Sequence, residues 1–128
     1  MRDVTVKTDP SAKFTQTVEA GPLRFLSDEP LADGGGDLGP SPFDMLLAAL
    51  GSCTSMTVKM VAERRGWPLE AVEVRLSATR GEAFAIRRDV TLTGPLSDEQ
   101  RQSLLAIANK CPVHKALSGP ITIETALV

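Results

Sequence analysis

The chain has 128 residues, a length that suits one domain, 1–128, built around one hydrophobic core. Fourteen Lys and Arg against sixteen Asp and Glu leave a net charge of -2, so there is no basic surplus to neutralise a phosphate backbone; four Phe, one Trp and no Tyr supply no aromatic platform for stacked bases. One histidine, His114, and two cysteines, Cys53 and Cys111, exclude a multi-histidine metal site and a CxxC pair.

Val4 to Thr8 and Phe14 to Val18 alternate apolar and polar residues around the turn residues Asp9-Pro10-Ser11-Ala12, which predicts a hairpin. Leu23 to Leu26 adds a third short strand after Gly21-Pro22. Ser27 to Pro40 has three consecutive glycines and no periodicity, so it reads as a loop that is mobile unless something holds it. Ser41-Pro42-Phe43-Asp44 is a helix start, with Ser as N-cap, Pro at the first helical position and Asp able to reach back in a capping box. The helix should run from Pro42 to Arg65 and stop at Gly66, a length of about 36 Å in a chain whose radius of gyration is about 14 Å. Ser52, Ser55, Lys59 and Glu63 form one narrow polar stripe, while Leu46, Ala49, Leu50, Met56, Met60 and Val61 occupy most of the remainder. A helix this apolar needs cover on two or three sides, and a second subunit is a reasonable source of it. Gly51 in mid-helix predicts the close approach of another backbone.

Val72 to Ala78 and Phe84 to Thr93 alternate again around Thr79-Arg80-Gly81-Glu82, a second hairpin. A capping box over Ser97 to Gln100 starts a helix toward Lys110, with Leu104, Leu105, Ala108 and Cys111 toward the core. A short helix from Pro112 to Leu117 and a final strand over Ile121 to Leu127 complete an α+β order of strands, long helix, strands, helix and strand. The first residues lack a secretory signal pattern, and no run reaches about 18 consecutive apolar residues, so the expectation is a cytoplasmic protein without a membrane span, its cysteines resting as thiols.

The two cysteines differ in setting. Cys53 lies about 16 Å from the helix start, beyond the reach of the macrodipole, and sits among Ala49, Leu46, Met60 and Leu50 in the profile of an inert buried thiol. Activation there requires a neighbouring cation. Cys111 precedes a proline that opens a short helix, with Lys110 beside it and His114 three residues on. Its N-cap-like position makes it the better thiolate on local physics, against the alternative of a small residue closing a helix on the core. His114 could tune it, or be a partly exposed, hydrogen-bonded side chain.

The segments SDEP, GGGDLGPSPFDMLLAALGSC and KCPVHKAL resemble the OsmC family, which includes the organic hydroperoxide resistance proteins, and most closely its OsmC-like branch. The resemblance implies an OsmC-like fold: antiparallel sheets around a long central cysteine-bearing helix, in an intertwined homodimer. It also implies that Cys53 is the peroxidatic cysteine, which attacks the O–O bond and becomes a sulfenic acid, and that Cys111 is the resolving cysteine, which forms a disulfide later opened by a dithiol reductant of lipoyl or thioredoxin type. No cofactor, metal, nucleic acid or membrane partner is implied. In the peroxidase branches an arginine and a glutamate activate the thiol. Here Phe43 stands directly after Pro42, where those branches carry Glu, and the carboxylate of Asp44 comes one place later, about 100° around the helix. Arg24 is the candidate cation, with Asp28 and Glu29 as possible orienting carboxylates; the alternatives are a solvated strand arginine and loop carboxylates.

Two functions follow. The first is a thiol-dependent peroxidase acting on organic hydroperoxides, with Cys53, Cys111, Arg24 and Asp44 as its residues. The second is a non-catalytic binding or redox-sensing dimer that keeps the fold and thiols without the activating pair. Metal binding by Cys53, Cys111 and His114 is a distant third.

Overall fold

Short alternating segments at the N-terminus pair into a three-stranded antiparallel sheet in the computed structural model, which describes residues 1–128: β1 (Val4–Thr8), β2 (Gln16–Ala20) and β3 (Leu23–Ser27), in the order β1-β2-β3. Val6 stands opposite Val18, and Val18 opposite Phe25. The β1–β2 turn closes through Asp9, whose carboxylate accepts from the Ser11 amide at 2.9 Å and hydroxyl at 2.6 Å. The Asp9 amide also donates to the Thr15 carbonyl at 3.0 Å, so β2 begins two residues later than the Phe14 expected from alternation alone. These strands belong to the first of two units into which the chain divides, residues 1–46 and 47–128.

The glycine-rich loop of the first unit has an internal anchor. Asp28, only 2% exposed, accepts from the Thr15 hydroxyl at 2.8 Å and from the amides of Glu29, Gly36 and Leu38. Removal from water pushes the Asp28 carboxyl up, but these four hydrogen bonds to its charged form outweigh that and hold it below the usual carboxylate range. Gly35 is required by packing, because a Cβ there would overlap the Glu29 carbonyl.

Helix α1 (Pro42–Arg65) has the bounds its sequence predicts. Its start is a capping box in which the Asp44 amide donates to Ser41 Oγ at 3.2 Å and the Ser41 amide donates to Asp44 Oδ2 at 2.9 Å. The second unit continues α1 and adds the antiparallel pair β4 (Ala71–Arg80) and β5 (Phe84–Thr93), then α2 (Asp98–Ala108) and α3 (Pro112–Ser118). Ser97 caps α2 in the expected box with Gln100. The buried stripe of α1 is Leu50, Thr54, Val58 and Ala62, spaced by four, and Val58 and Ala62 pack with Leu96, Leu104 and Ala108 into the core of this unit. By length and composition α1 could cross a bilayer; in this fold it is the core helix that carries that stripe.

Three expectations are corrected. Gly51 is matched by the Leu76 side chain of β4, whose Cδ1 would stand 2.7 Å from an added Cβ, and not by a second backbone. Leu105 is exposed, since the two residues of α2 that turn fully inward are Leu104 and Ala108. Ile121 to Leu127 forms no strand: alternation prepares the segment for pairing, but in a single chain no sheet edge takes it up, and Ile123 remains 81% exposed.

Candidate active site

Cys53 and Cys111 meet in the second unit. Cys53, half-buried on α1, neighbours Cys111 closely enough for its thiol to favour a charged Cys111 sulfur, and Cys111 is wholly buried; both are free thiols. Cys111 is the N-cap of α3, as its place before Pro112 predicts, and its Sγ accepts the His114 amide at 3.3 Å. Thr54, the polar member of the buried α1 stripe, lies with its Oγ1 3.8 Å from Cys111 Sγ and 2.7 Å from the Leu50 carbonyl, to which it donates.

A cation completes the cluster, and it is Arg88 of β5. Its Nη1 donates to Thr54 Oγ1 at 3.0 Å, and its Nη2 lies 2.9 Å from Asn109 Oδ1, to which it donates, and 3.1 Å from His114 Nδ1. One side chain thereby ties β5 to α1, to the end of α2 and to α3. Burial pushes the Cys111 thiol up, but the His114 amide, the Thr54 hydroxyl, the Cys53 S–H and the Arg88 charge together outweigh it, so the net displacement is downward.

Arg88 and His114 also line a cavity of about 540 Å³, within the range of small-molecule sites. Its other walls are Leu50, Phe84, Ile86 and Leu117, with Asn109 and Ser118 at the polar side. Through Arg88 and His114 the cluster therefore borders a chamber that is apolar at Leu50, Phe84, Ile86 and Leu117 and polar at its other walls. Among all residues of the chain, no group of three or more His, Cys, Asp or Glu is arranged to hold a metal ion.

The remaining sequence-derived candidates lie elsewhere. Arg24 is exposed on β3, opposite Glu19, in the 1–46 unit, whereas both cysteines are in the 47–128 unit. Asp44 spends its carboxylate on the α1 cap. Asp28 organises the glycine loop, and its hydrogen bonds go to Thr15 and loop amides. Arg88 and Thr54 were not singled out from sequence, although each carries a signal: Arg88 shares the inward register of Ile86, Val90 and Leu92, and Thr54 sits four residues from both Leu50 and Val58 on the buried stripe.

Residues 34–126 match the family model described as OsmC-like protein. Among solved structures, the chain is similar to an OsmC-like protein from Mycoplasma pneumoniae, at 18% identity and a TM-score of 0.78, over 93% of this chain and 88% of that one. It is also similar to the organic hydroperoxide resistance protein OhrB of Bacillus subtilis, at 23% identity and a TM-score of 0.65, over 93% of this chain and 91% of that one. An organic hydroperoxide resistance protein from Legionella pneumophila, also described as a redox protein, gives 23% identity and a TM-score of 0.65, over 93% and 90%. At these identities the likeness is one of fold. No curated protein matches the chain.

Proposed function

The chain belongs to the OsmC family, and from that premise we propose that it is a thiol-dependent peroxidase that reduces organic hydroperoxides to alcohols. The observation that carries the reading is the neighbouring Cys53 and Cys111 thiols, with Arg88 acting on Cys111 and a cavity with apolar walls against Arg88 and His114. Cys53, the more accessible sulfur, attacks the terminal peroxide oxygen as a thiolate. The O–O bond breaks, the alkoxide leaves as alcohol with a proton from water, and Cys53 becomes a sulfenic acid. Cys111 then attacks the Cys53 sulfur, the S–O bond breaks, water is released and a disulfide forms. A dithiol of lipoyl or thioredoxin type supplies the two electrons that reopen it. Leu50, Phe84, Ile86 and Leu117 suit an alkyl or aryl group better than a small polar peroxide.

The same reading takes the protein as a single OsmC-like domain acting as a homodimer in the cytoplasm. What supports the dimer is the apolar surface that one chain leaves uncovered: Met56 and Met60 on α1, and the alternating Ile121 and Ile123 of the unpaired C-terminal segment. The organic hydroperoxide resistance proteins from Legionella pneumophila and Bacillus subtilis, which share the fold, support the substrate class.

The test is consumption of cumene hydroperoxide by the whole chain with dithiothreitol supplied. Turnover that disappears in Cys53→Ser is expected; turnover no greater than that of the variant overturns the reading. A non-catalytic, redox-sensing dimer is the second reading, favoured by one observation: Phe43 follows Pro42, and Asp44 is occupied in the helix cap. Slow, stoichiometric oxidation without turnover would select it.

A further inference from the structure

Arg88 is half-buried beside the two thiols, and no carboxylate pairs with its charge. The neighbouring Arg87, on the outward register of β5, is paired with Asp89 at 3.0 Å, whereas Arg88 spends three donors on neutral acceptors: Thr54 Oγ1, Asn109 Oδ1 and His114 Nδ1. To accept from Arg88, the His114 ring must be neutral with its proton on Nε2. The ion pairs of the chain, Lys7–Glu19, Lys59–Glu63 and Arg87–Asp89, bring no carboxylate to this site. The anion available to Arg88 is a cysteine thiolate, and the route to it runs through Thr54.

A threonine hydroxyl has one proton. Thr54 Oγ1 already accepts from Arg88, so its own proton must go outward, either to the Leu50 carbonyl at 2.7 Å or to Cys111 Sγ at 3.8 Å. When Cys111 is a neutral thiol or half of a disulfide, the carbonyl is the better acceptor. When Cys111 carries a full negative charge, the sulfur competes for the proton, and the hydroxyl reaches it by rotation about one bond.

We propose that Arg88, acting through the Thr54 hydroxyl, is a positioning residue for the second half of the thiol cycle: it holds the charge on Cys111 when that sulfur attacks Cys53 and when it departs from the disulfide. The placement within a cycle rests on the peroxidase reading; the exchange chemistry does not. In reduction, a dithiol thiolate attacks the half-buried Cys53 sulfur, since Cys111 is wholly buried. The S–S bond breaks, and its electron pair leaves on Cys111. The second dithiol sulfur then closes the reductant's own disulfide, and its proton goes to the released Cys53. A leaving sulfur stabilised as thiolate leaves faster, so loss of the relay slows this step.

The experiment uses the whole chain, oxidised with diamide so that no peroxide is involved, and follows disulfide reduction by dithiothreitol. The variants are Thr54→Val, Thr54→Ser, Arg88→Met and Arg88→Lys. Thr54→Val and Arg88→Met should slow reduction about threefold to tenfold and shift the Cys111 titration, read by thiolate absorbance in a Cys53→Ser background, to higher pH; Thr54→Ser and Arg88→Lys should recover most of the rate. Thr54→Val keeps the side-chain shape, so it decides the matter if Arg88→Met loosens the fold. Equal reduction rates and an unmoved Cys111 titration in Thr54→Val would overturn the proposal. A chain that exchanges with dithiothreitol as described but is not oxidised by cumene hydroperoxide would retire the peroxidase reading and leave the relay standing.

Discussion

Replacing Ile121 and Ile123 together by serine tests whether a second copy of the chain covers the C-terminal segment. The two alternate with polar neighbours in a stretch that has no strand partner in the single chain, and they are 63% and 81% exposed. Full burial of an isoleucine contributes about 1.5–3 kcal/mol, so the four of a symmetric dimer, scaled by the surface still left to cover, account for about 4–9 kcal/mol of association, with a middle value of about 6. That corresponds to a rise of roughly ten-thousandfold in the dimer dissociation constant. Sedimentation equilibrium of wild type and double variant measures it directly, and the fold of each unit should survive, because neither isoleucine belongs to a buried core. A wild-type chain that is monomeric at micromolar concentration, or a double variant whose dimer constant stays within tenfold of wild type, refutes the reasoning.

Leu104→Ala removes a wholly buried side chain from the Val58–Ala62–Leu96–Ala108 core and should lower stability by about 3 kcal/mol, seen as a lower urea midpoint at unchanged slope. Gly35→Ala forces a methyl group into the Glu29 carbonyl and should open the glycine loop to limited proteolysis before the rest of the chain is cut. Asp28 has a folded-state value below its unfolded one, so its contribution is fully present above the unfolded value of about 3.9 and is lost as pH falls through the folded value; the wild-type urea midpoint should drop over that range more than that of Asp28→Asn. Asp44→Ala should cost about 1 kcal/mol through loss of the α1 capping box, read by thermal denaturation.

Most elements were legible because each carried its own local signal. The Ser41-Pro42-Phe43-Asp44 start and Gly66 stop delimited α1, and the Ser97–Gln100 box delimited the start of α2. The anchor of the glycine loop was less legible, since Asp28 is one of several carboxylates in SDEPLADGGGD and only the fold brings Thr15 and the amides of Gly36 and Leu38 to it. The apolar face of α1 was legible as a surplus but not in its division: Leu50, Thr54, Val58 and Ala62 turn inward, whereas Met56 and Met60 remain exposed in one chain. The site cation carries a weaker signal: alternation over Phe84 to Thr93 puts Arg88 on the inward register, but only the fold brings Thr54, Asn109 and His114 to it.

The single histidine has a narrower part than its place beside Cys111 suggests. Its Nδ1 accepts from Arg88, so that nitrogen is not available as a base toward the sulfur, and what His114 gives Cys111 is its main-chain N–H. The groups that favour a charged sulfur are then a peptide amide, a threonine hydroxyl, a second thiol and an arginine. In the proposed cycle, a low-lying Cys111 also reconciles two rankings of the cysteines: the N-cap sulfur is the better thiolate, and the more accessible Cys53 is the one peroxide and dithiol can reach. Attack and departure fall to different sulfurs, and the charge is held at the one that solvent does not touch.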